Sequence, residues 1–260
     1  MTTAEIAAYV GAAAWLPQIA TWLYNRFIRP PITIIPDKYA EVGFTSYGPI
    51  FNVRMAFSSE RKDVIIEGFE ILLKHEDGDT RTLRWAGLTE TFSEITDNAG
   101  NRQVVSRDQT PIALKIGTES LVEKFVRFQE PRHHESERPV ISELLAHFNF
   151  LKRSGDPDYV ARTLKSKELY SVQETRQKSF WWKQGRYEAT LRLSSPKKFE
   201  LAHSRYQFVL SPNDIDRLKQ NIATLDIDLK NIINSNLPDF SALPVNWNWA
   251  NVDIKRIEAA

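Results

Sequence analysis

The sequence predicts an α+β protein made mainly of antiparallel strands: a β-sandwich of immunoglobulin-like architecture, with helical additions and an N-terminal hydrophobic helix. Three observations lead there. From Ile32 onward apolar residues alternate with a period of two, as half-buried strands require. Turn signals such as Asp77-Gly78 separate these runs, and no strand–helix alternation announces a doubly wound parallel sheet. Ahead of Ile32 the texture is different, because the twenty residues from Ile6 to Asn25 carry no charged side chain.

That leading segment comes first in the chain. Thr2 is placed to cap a helix and Glu5, three residues later, completes a capping box. Tyr9, Trp15, Trp22 and Tyr24 supply the amphipathic rings enriched at membrane interfaces, and Arg26 and Arg29 follow before Pro30-Pro31 stops the helix. Alanines, Gly11, Pro17 and Gln18 dilute the hydropathy, so the helix is expected to cross a bilayer or lie in its surface. The basic flank places the body on the cytoplasmic side. A signal peptide has the opposite polarity, with its basic residues first. The competing reading is a soluble cytoplasmic chain whose Ala-rich helix packs on the body or on a partner.

The body divides by pattern into a sandwich core at 32–130, a helical and basic insertion at 131–183, and completing strands with a helix at 212–234 and a tail from 185 to 260. Phe51, Val53, Met55 and Phe57 share one strand face. Val64 to His75 forms another strand, Asp77-Gly78 turns it, and Leu83 and Trp85 resume the apolar side. Further strands are expected at 112–116, 121–128, 187–193 and 199–210. Helices are expected from Pro139, with Ile141, Leu144, Leu145, Phe148 and Leu151 on one face, and from Asp156-Pro157 in pieces to about Lys178. Ser211-Pro212-Asn213-Asp214 opens the most regular helix. Its apolar residues Ile215, Leu218, Ile222, Leu225, Leu229 and Ile232 alternate steps of three and four, enough to raise self-association through a coiled coil. A helix laid on the sheet explains the same stripe, and Asp226 and Asp228 show no organised flanking charge pairs. The tail repeats tryptophan at 247 and 249, on one face if extended, as in an edge strand covering the sandwich.

Composition bounds the chemistry. In 260 residues there are 34 Lys and Arg, 33 Asp and Glu, and no cysteine. Disulfides, cysteine-ligated zinc, iron–sulfur clusters and thiol catalysis are therefore excluded. Near-neutral total charge speaks against nucleic-acid binding by overall charge. The balance is uneven, however: 13 basic against 6 acidic residues lie between 151 and 205, and 7 against 11 between 60 and 110. Within the basic part Lys178, Trp181, Trp182, Lys183 and Arg186 interleave rings and cations, which suits an anionic lipid surface or, less well, single-stranded nucleic acid, while core burial of the rings is the plainest account. His133-His134 sits in a highly charged run read as a solvated connection. No histidine pair has metal-ligand spacing, and no nucleophile elbow or phosphate-binding glycine loop occurs. No cofactor and no metal are expected. The sequence thus points to a non-enzymatic, membrane-associated binding or accessory protein with a protein partner. A soluble subunit docking through its N-terminal helix, or self-associating into a homo-oligomer, is the alternative; a hydrolase with a dispersed site stands further back.

Overall fold

The structure is a computed structural model and describes residues 14–24, 27–96, 102–119, 121–235, 237 and 239–257. Residues 14–24 are helical, and the strands follow: β1 (Pro31–Thr45), β2 (Gly48–Ser59), β3 (Val64–Ile66), β4 (Gly68–His75), β5 (Thr80–Thr96), β6 (Arg102–Gln109), β7 (Leu114–Ile116) and β8 (Val122–Gln129). Three helices come next, α1 (Pro131–Arg153), α2 (Tyr159–Thr163) and α3 (Lys167–Ser179). The chain finishes with β9 (Gly185–Ser194), β10 (Glu200–Leu201), β11 (Arg205–Leu210), α4 (Pro212–Asn234), β12 (Trp249–Asp253) and β13 (Lys255–Arg256).

The α+β content agrees with the pattern. The strands join one large curled sheet in the order β10-β1-β2-β8-β5-β4-β9-β11-β13, antiparallel except where β10 runs parallel to β1. An immunoglobulin-like stack of two large sheets is not what this pairing displays. Instead the C-terminal stretch bridges the two ends: β12 pairs with β1, Ile254 donates its amide to Lys38, and β13 pairs with β11. The curl brings the inward residues of β1, β2, β4, β5, β8, β9, β11 and β12 onto a common core. Ile34, Val42, Phe44, Phe51, Val53, Phe57, Phe69, Leu73, Phe128, Tyr187 and Phe208 are at most 2% exposed. Each such side chain contributes about 1.5–3 kcal/mol by leaving water. β3 and β7 pair with each other and send Val64, Ile66, Leu114 and Ile116 into the same core.

The Asp77-Gly78 turn forms as its residues require. β4 and β5 pair through Lys74 and Thr80, and Gly78 takes a φ of +94° that a side chain would disfavour.

Helix α4 opens with the expected cap: Ser211 Oγ accepts the Asp214 amide at 3.2 Å, and Asp214 accepts the Ser211 amide at 2.9 Å. Ile215, Leu218 and Leu225 insert into the sheet core, while Leu229 and Ile233 join a second core with Leu144, Phe148, Val160, Leu169 and Val172. The stripe proposed for an oligomer is therefore occupied within this chain. Of its members Ile222 is half-buried and only Ile232 is exposed, at 55%.

Helix α1 starts at Pro131, eight residues before the Pro139 expected to open it, and Pro139 lies inside it on the exposed side. The run read as a solvated connection is thus its first two turns. His133 and Glu137 occupy the buried stripe that continues through Leu144, Phe148 and Leu151, and two polar residues at apolar positions hid the period.

Candidate binding site

Every described residue of the N-terminal helix, 14–24, is exposed. Trp15 is 64% exposed, Leu16 63%, Trp22 61% and Tyr24 58%. Trp15, Leu16, Ile19, Trp22 and Leu23 recur at intervals that gather them on one side of a helix, away from Gln18 and Thr21. The Thr21 hydroxyl donates to the Pro17 carbonyl at 2.7 Å, so this side chain satisfies itself without water. The helix is not laid on the body along these residues. Among the described residues no helix is long and apolar enough to cross a membrane. Tyr9 and Arg26 lie outside the described residues, and Arg29 is exposed just past the helix.

The basic aromatic segment separates into core and surface. Trp181 and Trp182 are 5% and 2% exposed, so their rings face the sheet core and not a surface ligand. Trp182 Nε1 donates to the Gly43 carbonyl at 2.8 Å, and Trp181 Nε1 to Asp79 Oδ2 at 2.9 Å. Lys183 spans the β4–β5 turn, reaching Asp77 at 2.8 Å and Asp79 at 3.1 Å. These bonds raise the Lys183 pKa and hold Asp77 far below the usual carboxylate range, with help from the Asp79 amide and His75. Asp79 is lowered too, by Trp181 first and Lys183 second. Tyr187 stacks on Phe208 with ring centroids 5.0 Å apart, and burial pushes its phenol up to about 12. The remaining two cations are exposed: Lys178 pairs with Glu174 at 2.6 Å, and Arg186 lines a shallow groove with Gln207, Asp253 and Lys255 where the sheet ends meet.

A second polar cluster was not foreseen. His133 is 3% exposed at the start of α1 and neither ring nitrogen has a hydrogen-bond partner among the described residues. Burial lowers its pKa, partly opposed by Glu137, whose Oε2 stands 3.7 Å from Nε2. Glu137 itself is held by Arg176 of α3, Nε to Oε1 at 2.5 Å, and Arg176 Nη1 donates to the Leu225 carbonyl at 3.2 Å. The one signal of this cluster that is legible in the sequence is the spacing of His133 and Glu137 by one helical turn.

Among the described residues no group of three or more His, Asp or Glu is placed to hold a metal. His147 stands 4.0 Å from Glu168, and His203 contacts Arg256 at the chain end. Set against protein-family models, curated proteins and solved structures, the chain matches none.

Proposed function

We propose that this chain is a membrane-associated binding protein without catalysis of its own, held at a lipid surface by its N-terminal helix and presenting the curled sheet to a partner. One observation carries the reading: a helix of large apolar and aromatic side chains, exposed along its whole described length. Leaving Trp15, Leu16, Trp22 and Leu23 in water is costly in apolar area, and contiguous patches of this kind mark interaction surfaces. A lipid surface is the occupant we favour. The uncharged run continues to Ile6, its rings are those that settle at the headgroup level, and Arg29 follows where anionic headgroups would meet it. By the same asymmetry the body faces the cytoplasm.

The test is co-sedimentation of the full chain with vesicles of phosphatidylcholine and phosphatidylserine. The unaltered chain is expected to pellet with vesicles. Trp15→Glu combined with Trp22→Glu should abolish pelleting while the near-ultraviolet circular dichroism of the body is kept, since both positions are exposed. Pelleting that survives the double substitution overturns the reading. So does a chain that ignores vesicles and instead elutes with a stoichiometric protein partner through the same helix.

A further inference from the structure

The outer face of the curled sheet carries a groove of about 490 Å³ that the N-terminal helix does not explain. Strand register builds it in rows. Trp249, Gly43, Ile50 and Gln129 stand side by side on β12, β1, β2 and β8, and two residues along the next row is Asn251, Glu41, Asn52 and Arg127, of which Asn52 and Arg127 line the groove and Glu41 borders it through its bond to Asn52. Parity turns both rows away from the core, because Val42, Phe51 and Phe128 between them are buried.

Two glycines make the rows fit. A Cβ on Gly43 would fall within the Trp249 ring, so the indole lies directly on the strand, and a Cβ on Gly87 would fall on the Arg127 guanidinium. Trp247 joins Trp249 in lining the groove.

At its floor Asn52 is 4% exposed. Its Nδ2 donates to Glu41 Oε2 at 3.3 Å, and this acceptor fixes which way the amide faces. Its Oδ1 is buried with no donor among the described residues. An unpaired buried amide oxygen is costly, and asparagine is a poor strand residue, so the position is unfavourable for folding alone.

We propose that this groove binds a neutral, hydroxyl-rich ring, a sugar residue whose CH face lies on the indoles of Trp247 and Trp249 and whose hydroxyl donates to Asn52 Oδ1. The occupant must bring a donor, because Oδ1 only accepts. It must bring a flat apolar face for the indoles. The carboxylate, amide and guanidinium of Glu41, Asn52 and Arg127 alternate acceptor and donor along a line, which suits neighbouring hydroxyls that each donate and accept. An anion would meet Glu41 and the bare Oδ1, and an apolar segment would bury the row unpaired. The volume lies within the roughly 300–1,000 Å³ of small-molecule sites.

Isothermal titration of the full chain with maltotriose, cellotriose and triacetylchitotriose, and with inorganic phosphate as the anionic comparator, tests this. Saturable binding of at least one trisaccharide is expected, weakened about tenfold by Asn52→Leu through loss of one hydrogen bond. The same variant removes an unsatisfied buried oxygen and gives up only the long, part-buried bond to Glu41, so its urea midpoint should hold, an outcome opposite to that of a merely structural asparagine. Trp247→Ala, at a half-buried position off the strands, should weaken binding independently and serves where Asn52→Leu does not fold. No saturable heat with any trisaccharide, equal affinity in both variants, or binding of phosphate alone would overturn the assignment.

Discussion

Two clusters of the molecule contain nearly the same residue types and treat them in opposite ways. At the β4–β5 turn, His75 has both ring nitrogens engaged, Nε2 with the Gln184 carbonyl at 2.9 Å and Nδ1 with Asp77 Oδ1 at 2.9 Å. Around it Asp77, Asp79 and Lys183 are paired at the surface. At the start of α1, His133 has neither nitrogen in a hydrogen bond among the described residues, and the nearby Glu137–Arg176 pair is buried, at 9% and 7% side-chain exposure. The difference is one of solvent. The turn cluster forms where water competes, so its pairs are individually weak and screened. The helix cluster forms where water is excluded, so each partner there depends on the other.

The largest effect that could break this contrast lies in the buried pair. Arg176→Met leaves Glu137 buried and unpartnered apart from the more distant His133, and should destabilise the chain by about 3–5 kcal/mol. The double variant Glu137→Leu with Arg176→Met removes both charges and should recover most of that loss. Urea denaturation of the three proteins reads the coupling. Additive costs, with the double variant as weak as the sum of the singles, would show that the two charges do not act as a pair.

This pair also marks where the sequence stops being readable. The strands were legible because alternation is local: Phe51, Val53, Met55 and Phe57 declare a face in seven residues. Helix α4 was legible from its cap and its stripe, although not whether that stripe met a second copy or this chain. For Trp181 and Trp182 burial is the plainest reading of the segment, and both rings lie in the core. By contrast, the closure of the sheet rests on β13, two residues long, and on five residues of β12, too short to carry a period. The first turns of α1 were hidden because His133 and Glu137 stand where leucines would have announced a helix. The groove was invisible for another reason: residues 50, 52, 127 and 249 come together only through the register of four strands.

A smaller effect sharpens the contrast through pH. The His133 pKa is lowered in the folded chain by burial, so the unfolded chain takes up a proton at a higher pH than the folded one. Stability from this group is therefore full well above the ordinary histidine value of about 6.5 and declines as pH falls below it, by at most about 1.4 kcal/mol per unit. Glu130 at the N-cap, His134 and Glu137 on the same helix and Arg176 from α3 act on the ring and set how far the decline extends. His133→Leu should flatten the dependence of the urea midpoint between about pH 7.5 and 5.5 and raise the midpoint at the acid end, since it deletes two unpaired buried nitrogens. Parallel curves for the two proteins would refute the assignment.

The smallest effect belongs to the turn. Asp79 joins surface to core, accepting from the Trp181 indole at 2.9 Å and from Lys183 at 3.1 Å. Its folded pKa is depressed, so its stabilisation is present above the ordinary carboxylate range and lost only as pH falls through that range, far from the window of His133. Asp79→Ala should cost about 1 kcal/mol, the indole hydrogen bond, because the Lys183 pair is exposed and Asp77 remains to hold the lysine. Asp77→Ala releases a different buried ring, His75, whose Nδ1 stands 2.9 Å from Asp77 Oδ1, together with one side of the Lys183 pair. Salt separates the contributions: in 1 M sodium chloride the share of each loss that comes from the exposed Lys183 pairs should vanish, whereas the indole bond to Asp79, partly sheltered from solvent, should persist. Equal losses for the two substitutions, both removed by salt, would mean that the turn contributes surface charge alone and that Trp181 is held by packing and not by Asp79.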